Sequence, residues 1–218
     1  MGTILASAII DRVEALLEDS SNGWWSAAFH LASLNEAQRK IVILKPDTNT
    51  VLASLQLVAG VKQTIPVDGI MLESLRMNMP SSGATRGTPI TLVDRAILDA
   101  VLPSWTLATP SPTVVHYMYD LKSPTVFYVY PPQPSSSMGY VEEEYAQLPA
   151  NIASTVAITL DDSLEEAIKH FMMFKAYESK KPQLATGYWS MFLSDLGLTE
   201  QREEADDPNV KAEKGGTK

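Results

Sequence analysis

Apolar residues recur at helical spacing near the start of the chain. One stripe predicts an amphipathic helix over residues 3–18; its members are Leu5, Ile9, Val13, Leu16 and Leu17. A second helix is predicted over residues 26–45, because Pro46 stops it. Residues 33–36 also match a capping box, so the pattern leaves open a helix that restarts at Leu34.

Two more helices are predicted near the C-terminus. Residues 163–179 carry a broad apolar stripe after Asp162, whose negative charge suits a helix N-terminus. Residues 180–182 end this helix, and residues 183–196 form the last one. Residues 199–218 have almost no apolar side chain, so they cannot bury enough surface to fold alone.

The middle of the chain has the alternating pattern of β-strands. Residues 50–58 alternate, and residues 61–65 are predicted to return beside them as a hairpin after a turn at Gly60. Residues 70–79 are apolar and fit either a strand or a helix. Residues 139–147 are predicted to form one more strand.

A second, aromatic-rich hairpin is predicted from two β-prone arms, residues 113–119 and residues 125–131, joined by a five-residue break. Large apolar groups lie on both faces of the second arm, so the hairpin is expected to be covered on both sides, with Tyr128 buried. Pro131 and Pro132 are expected to end the ladder, because proline has no N–H to donate.

This order of elements predicts an α+β fold. The terminal helices form a bundle, and the central strands form a separate antiparallel hairpin or sheet domain that includes one short helix from Asp94 to about Val101. The predicted parts are N-terminal helices at 1–48, a β-rich domain at 49–160, C-terminal helices at 161–198 and a polar tail at 199–218.

Composition narrows the classes of function. The chain has 218 residues, no cysteine and a net charge of −9, so a thiolate metal site is excluded and a phosphate-binding surface over the whole protein is disfavoured. We expect no signal peptide, because Asp11, Arg12 and Glu14 interrupt the first apolar stripe. No apolar run has the length of a membrane span, so no membrane partner is expected.

Candidate chemistry is sparse. His30, His116 and His170 lack metal-binding spacing, and the sequence has no nucleophile elbow or phosphate-binding glycine motif, so we predict no catalytic residue, metal or cofactor. Glu142 and Glu144 share a strand face and could hold a divalent cation, although a solvated or channel-facing acidic strand is the favoured interpretation.

Trp24 and Trp25 are adjacent aromatic residues at the start of the second predicted helix. They could form a stacking platform for single-stranded nucleic acid. The favoured interpretation is one core residue and one interface residue.

Several ordered motifs resemble one family. HYMYDLKSPTVFYVYPP at residues 116–132 is similar to a run, HYxYDxxxPxxFYVYPP, of head-to-tail adaptor proteins of short-tailed phages. The other matching residues are Trp25-Ser26, Leu34-Asn35, Gln38-Arg39, Pro46-Asp47, Gly60, Gln63, Pro66, Gly69, Arg76-Met77-Asn78-Met79, Val93-Asp94-Arg95, Leu98-Asp99 and Pro103-Ser104-Trp105. Phe29 departs from the pattern, since the family has an acidic residue three after the capping serine. The resemblance favours a strand by the end of residues 70–79.

The resemblance implies a structural virion protein assembled in the host cytoplasm. It would form a ring, twelve-fold in the family, beneath the portal protein and above tail nozzle and tail-fibre proteins, with genomic DNA passing through without specific binding. A negative lumen repels phosphates, so DNA would slide without sticking. The candidate interface residues are Trp24, Trp25, Arg39, Arg76, Asp94, Arg95, Glu200, Arg202, Lys211 and Lys214. The candidate channel-facing residues are Glu142, Glu143 and Glu144.

Two other classes of function remain as alternatives. One is a metal-dependent hydrolase that uses Glu142, Glu144 and a histidine, but no positioned nucleophile or base accompanies them. The other is a nucleic-acid-binding module, which the net charge of −9 disfavours.

Overall fold

A computed structural model describes residues 2–80, 85 and 87–198. The chain divides into two compact units: Pro46–Leu148 forms one, and the residues before and after it form the other. Each unit is described separately below. The described residues contain five α-helices and two β-sheets, which confirms the α+β class. The helices are α1 (Ala6–Leu16), α2 (Ala27–Leu44), α3 (Arg95–Val101), α4 (Glu165–Glu178) and α5 (Pro182–Asp195).

The helical unit contains α1, α2, α4 and α5. Within it α4 packs against α5 and α2, and α1 contacts α2 and α4; their arrangement as a bundle stays a prediction. Rings from α4 and α5 pack against one another: the centroids of the buried Phe171 and Phe192 are 5.3 Å apart, and those of the half-buried Phe174 and Trp189 are 5.1 Å apart. Among the described residues, no helix combines the length and apolarity needed to cross a membrane.

Helix α2 starts at the predicted Ser26 cap, whereas helix α4 starts two residues later than predicted. Helix α2 runs unbroken from a Ser26 cap, whose Oγ accepts the Phe29 N–H at 3.2 Å, so a restart at Leu34 is wrong. The cap forms without an acidic residue because it needs only the backbone N–H of Phe29. Helix α4 begins at Glu165, after a 3₁₀ turn, while the Asp162 carboxylate instead accepts the N–H (2.7 Å) and hydroxyl (2.6 Å) of Thr3.

The β-rich unit contains two sheets. The three-stranded sheet has the order β1 (Thr50–Gln56), β7 (Tyr140–Gln147) and β3 (Gly69–Met79). The four-stranded sheet has the order β2 (Gly60–Thr64), β6 (Val126–Gln133), β5 (His116–Tyr119) and β4 (Thr91–Leu92). All neighbours are antiparallel except the short β4–β5 pair. Residues 70–79 are therefore part of a strand, as the resemblance indicated.

The predicted hairpin between β1 and β2 is wrong. β1 pairs with β7 and β2 pairs with β6, so the chain crosses from one sheet to the other between them. Gly60 makes this crossing at φ +95°, a backbone conformation that a side chain would disfavour.

The aromatic hairpin is confirmed as β5 and β6, with His116 opposite Tyr130 and Tyr119 opposite Phe127. The expectation that Pro131 and Pro132 end the ladder is wrong, because β6 continues to Gln133. Proline still has a carbonyl oxygen, and that of Pro132 accepts the Ser111 N–H at 2.9 Å.

Both faces of the hairpin are covered, but unequally. Phe127 and Val129 are fully buried in a core that both sheets share, with members Leu57, Ile65, Leu72, Leu75, Ile90, Val114, Tyr117, Val141 and Tyr145. On the other face Tyr128 and Tyr130 pack against Leu98 and Trp105. Tyr128 is only half-buried there, which corrects the expectation of full burial.

Buried side-chain amides pair with the backbone of irregular segments. The Asn78 amide donates to the carbonyl oxygens of Thr88 (3.1 Å) and Val114 (2.7 Å), and its oxygen accepts the Val114 N–H (2.8 Å). Gln63 spans the crossing after β1 similarly, through the N–H and carbonyl of Val58 at 2.7 Å each. These loop residues therefore keep paired backbone groups without belonging to a β-ladder.

The helical unit uses the same device. Asn35 on α2 donates to the Ile152 carbonyl (3.1 Å) and accepts the Ile152 N–H (2.9 Å). One turn further on, the Gln38 oxygen accepts the Thr159 N–H at 2.7 Å. Two side chains on one helix thus fix the extended chain that leads to α4.

Adjacent residues on β6 test the unequal burial of its two faces. We expect Phe127→Ala to lower the free energy of unfolding by about 4 kcal/mol, because it empties a fully buried aromatic site. Tyr128→Ala on the half-buried face should cost less, about 2 kcal/mol. Urea unfolding of both variants measures the difference. Equal losses would show that the two faces are buried alike.

Candidate functional site

The predicted interface residues that the structure describes lie in both units, and most of them contact their own chain. Arg39 on α2 donates to the side-chain oxygen of Asn151. Arg76 on β3 donates to Glu144 on β7 at 2.7 Å, so a predicted interface residue pairs with a predicted channel-facing one. These contacts give both arginines a role within the monomer.

Asp94 and Arg95 lie at the start of α3. The Asp94 carboxylate caps the helix by accepting the Ala96 N–H at 2.7 Å. Arg95 is 3.4 Å from the Asp99 carboxylate, and its guanidinium lies 5.9 Å from the centre of the Tyr128 ring. Asp94, Arg95 and Tyr128 line a cavity of about 530 Å³. Arg95 remains largely exposed, so it stays available to a partner.

The loop that carries Trp24 and Trp25 is fixed by a buried carboxylate. Asp19 accepts the backbone N–H groups of Gly23 (2.8 Å), Trp24 (3.0 Å) and Trp25 (2.9 Å). Burial of Asp19 favours its neutral form, but the three N–H groups outweigh that effect and hold its pKa below its ordinary value. The orientation of this loop is therefore set by the fold.

The two indole rings share one cation. The Lys180 ammonium lies 4.3 Å from the centre of the Trp24 ring and 4.2 Å from that of Trp25. Trp25 is half-buried and meets Tyr177 edge-on at 6.3 Å, whereas Trp24 is 73% exposed. We call Trp24, Trp25 and Lys180 the tryptophan platform. It presents an exposed ring beside a positive charge, and it stays a candidate interface.

The three glutamates of β7 occupy different environments. Glu143 is fully buried on the strand face that also carries Val141 and Tyr145, and it lies opposite Ala53 and Leu75 on the flanking strands. Its burial removes Glu143 from the residues that could face a channel. The alternation of a strand places its two neighbours on the other face.

The surroundings of Glu143 oppose its ionisation. Burial, and then the negative charge of Asp68, raise the pKa of Glu143 from 4.5 to about 7. Among the described residues, neither carboxylate oxygen of Glu143 has a hydrogen-bond partner. The core of the β-rich unit therefore contains a carboxyl group that favours the neutral form up to neutral pH.

Glu142 and Glu144 share the opposite face of β7, and only Glu144 keeps substantial exposure, since Glu142 is 8% exposed. Hydrogen bonds from Arg76 (2.7 Å) and Ser74 (3.1 Å) hold the pKa of Glu144 below its ordinary value. Of the three predicted channel-facing residues, Glu144 is thus the one with a solvent-accessible charge.

The histidines do not converge. His30 is buried on α2, where burial lowers its pKa, and His170 contacts Asp195 at 2.6 Å through Nδ1. Over residues 2–80, 85 and 87–198, no group of three histidine or acidic side chains could hold a metal ion. Four predicted interface residues lie outside the described residues: Glu200, Arg202, Lys211 and Lys214.

Sequence reasoning missed Asp19 and the role of Lys180. The sequence pattern indicates only that Lys180 helps to end a helix, although its charge completes the tryptophan platform. No local signal identifies it, because the residues that meet there are more than 150 positions apart in the sequence.

The raised pKa of Glu143 has a measurable consequence for stability. Between pH 4.5 and about 7 the folded state holds a proton that the unfolded state has lost, so the stability contributed by this group falls as pH rises. We expect Glu143→Gln to remove this loss, which amounts to about 3 kcal/mol at pH 7.5. Urea unfolding of both proteins from pH 4.5 to 8 measures it.

Glu144→Gln is the matched control on the next residue. The pKa of Glu144 is lowered in the folded state, so its negative charge stabilises the wild-type fold at neutral pH. That stabilisation is lost as pH falls. The two variants should therefore shift stability at neutral pH in opposite directions. A Glu143→Gln curve parallel to the wild-type curve would contradict the buried, proton-holding carboxyl group.

A family model described as SU10 adaptor protein matches residues 5–212. The comparison with curated proteins returned no match. Because the family model covers nearly the whole chain, including both compact units, the chain belongs to the SU10 adaptor protein family of phage head-to-tail adaptors.

Proposed function

We propose that this adaptor is the subunit of a ring that joins the portal protein to the tail nozzle and tail fibres and extends the DNA channel. Membership of the adaptor family is the observation that carries the proposal. The role is structural and requires no catalytic step. No observation favours the two alternatives. The described acidic residues and histidines form no metal-binding group for a hydrolase, and the net charge of −9 opposes a nucleic-acid-binding module.

The charge distribution supports passage of DNA without tight binding. The net charge of −9 on each copy gives a ring a negative field, which repels phosphates and keeps DNA from adhering. Glu144 is the predicted channel-facing residue with an accessible carboxylate, and its lowered pKa keeps it ionised. We therefore assign the lumen contact to the face of β7 that carries Glu144.

The same charge favours assembly on a template. Identical subunits with a charge of −9 repel one another in dilute solution until specific contacts compensate. We infer that the free protein is monomeric or weakly associated and that a ring, of twelve copies as in the family resemblance, forms on the portal protein. Contact with the portal protein would hold the subunits in a ring arrangement that they do not form alone.

The direct test of this proposal adds purified protein to tail-less phage heads that display their portal. We expect the protein to be monomeric or weakly associated by light scattering, to cosediment with these heads at saturation, and to allow tail attachment. Heads without portal are the control. Stable rings formed at low salt without heads, or equal binding to heads without portal, would contradict the templated ring.

The tryptophan platform is predicted to be an assembly contact. Trp24→Ala should change the free energy of unfolding by less than about 1 kcal/mol, because the ring is 73% exposed. It should nevertheless weaken cosedimentation with portal-bearing heads, because exposed aromatic anchors contribute strongly to interfaces. Leu16→Ala, which also truncates an exposed apolar side chain in the helical unit, is the control. Unchanged binding by Trp24→Ala would show that the tryptophan platform is not an assembly contact.

Residues 199–218 are proposed to contact the portal or an adjacent subunit. Their charges are segregated, with acidic residues from 200 to 207 followed by Lys211, Lys214 and Lys218. A chain truncated after Leu198 should keep its thermal unfolding temperature but fail to join tail-less heads. Normal tail attachment by the truncated chain would show that this segment only solubilises the protein.

A further inference from the structure

Each sheet of the β-rich unit has two edges, and an exposed edge strand offers unpaired backbone groups to another chain. The edges of the three-stranded sheet are β1 and β3, and those of the four-stranded sheet are β2 and β4. Proteins protect such edges by covering them, by shortening them, or by placing bulges and charges on them.

Three of the four edges are protected in one of these ways. The outer edge of β3 is partly covered by its own chain, through the Asn78 N–H to the Thr88 oxygen (2.8 Å) and the Ile90 N–H to the Arg76 oxygen (3.1 Å). β2 is short, contains an irregularity in its register and exposes Lys62. β4 has two residues.

β1 has none of these protections. Its sequence, TVLASLQ, contains no charge, proline or glycine, and its register with β7 is unbroken over seven residues. Its exposure alternates along the strand, and Leu52 is 46% exposed. Apart from its pairing with β7, the backbone of β1 makes no hydrogen bond to any other described residue. With respect to the described residues, one whole edge of backbone donors and acceptors is therefore open.

We propose that β1 is a strand-addition site at which a second copy of this chain lays down an extended segment. The proposal rests on the ring described above, because a ring subunit meets two neighbours through two different surfaces. Pairing of β1 with another β1 would be self-complementary and would close a dimer, so the donor is a different segment of the neighbouring copy.

The side chains of the sheet define the chemistry of the incoming segment. Val51, Ala53 and Leu55 lie half-buried at the margin of the shared core, so the added strand places apolar residues on that side. On the other side, Leu52 and Ser54 lie opposite Glu144 and Glu142, and an incoming strand with polar or basic residues fits that acidic face. Backbone pairing provides affinity, and these two faces provide register.

Hydrogen exchange on the full chain tests the backbone pairing. In the free monomer, the β1 amides that point away from β7 should exchange fast, whereas in portal-bearing heads loaded with the protein they should slow by about tenfold or more. The amides of β7 are the internal control, because its neighbours β1 and β3 pair with it in the monomer. Unchanged fast exchange of β1 in loaded heads would overturn the proposal.

Crosslinking identifies the occupant. The chain has no cysteine, so Ser54→Cys carries a single thiol for a photoreactive maleimide. Irradiation of loaded heads should give a covalent adaptor dimer that joins Ser54 of one copy to a segment other than 50–56 of the next. Ser136→Cys, on an exposed loop, is the labelling control. A crosslink only to another virion protein, a link between two β1 strands, or no link would each overturn the assignment.

A charged substitution on the β1 edge distinguishes a failure of strand addition from a failure of the proposed function. Leu52→Lys should reduce ring formation on heads at least about tenfold, whereas Val67→Lys, the same charge change at a fully exposed loop residue, should not. If Leu52→Lys assembles normally, strand addition is wrong and the adaptor ring stands. If the wild-type chain never binds portal-bearing heads, the proposed function itself fails.

Discussion

The structure depends on buried side-chain amides that satisfy the backbone of segments outside regular secondary structure. Asn78 pairs with Thr88 and Val114 in the β-rich unit, and Asn35 pairs with Ile152 in the helical unit. A buried backbone group without a partner costs about 1–3 kcal/mol, so each amide stabilises its loop conformation by supplying that partner. Asn35, Gln38, Gln63 and Asn78 all lie within the motifs that carry the family resemblance, and their role is to fix the fold.

Elements with local signals could be predicted from the sequence, and their pairing could not. The apolar stripes located four long helices, and the aromatic run located the β5–β6 hairpin. The pattern could not show that β1 pairs with β7, some ninety residues later, because a strand's alternation does not specify its partner. The assumption that consecutive strands pair therefore failed at β1 and β2, where a Gln63 side chain occupies the crossing.

In the candidate site, the sequence could predict the exposed aromatic residue but not the residues that hold it in place. Trp24 is exposed as expected of an interface residue. The carboxylate of Asp19, five residues earlier, holds the loop through backbone contacts that the apolar pattern does not show, and the ammonium of Lys180 comes from a distant position. The three glutamates of β7 are consecutive in sequence and differ in burial, because strand alternation turns Glu143 into the core. The four charged interface candidates that the structure describes all contact their own chain, which leaves Trp24 and the β1 edge as the more available surfaces among the described residues.

The central claim is that this chain forms the ring between portal and tail. Electron cryomicroscopy of tail-bearing particles, with the chain traced into the density beneath the portal, tests it most directly. The account predicts a closed ring in which each β1 edge is covered by a neighbouring copy and Glu144 lines the channel. Particles whose neck lacks this chain, or in which it decorates the outside without closing a ring, would contradict the account.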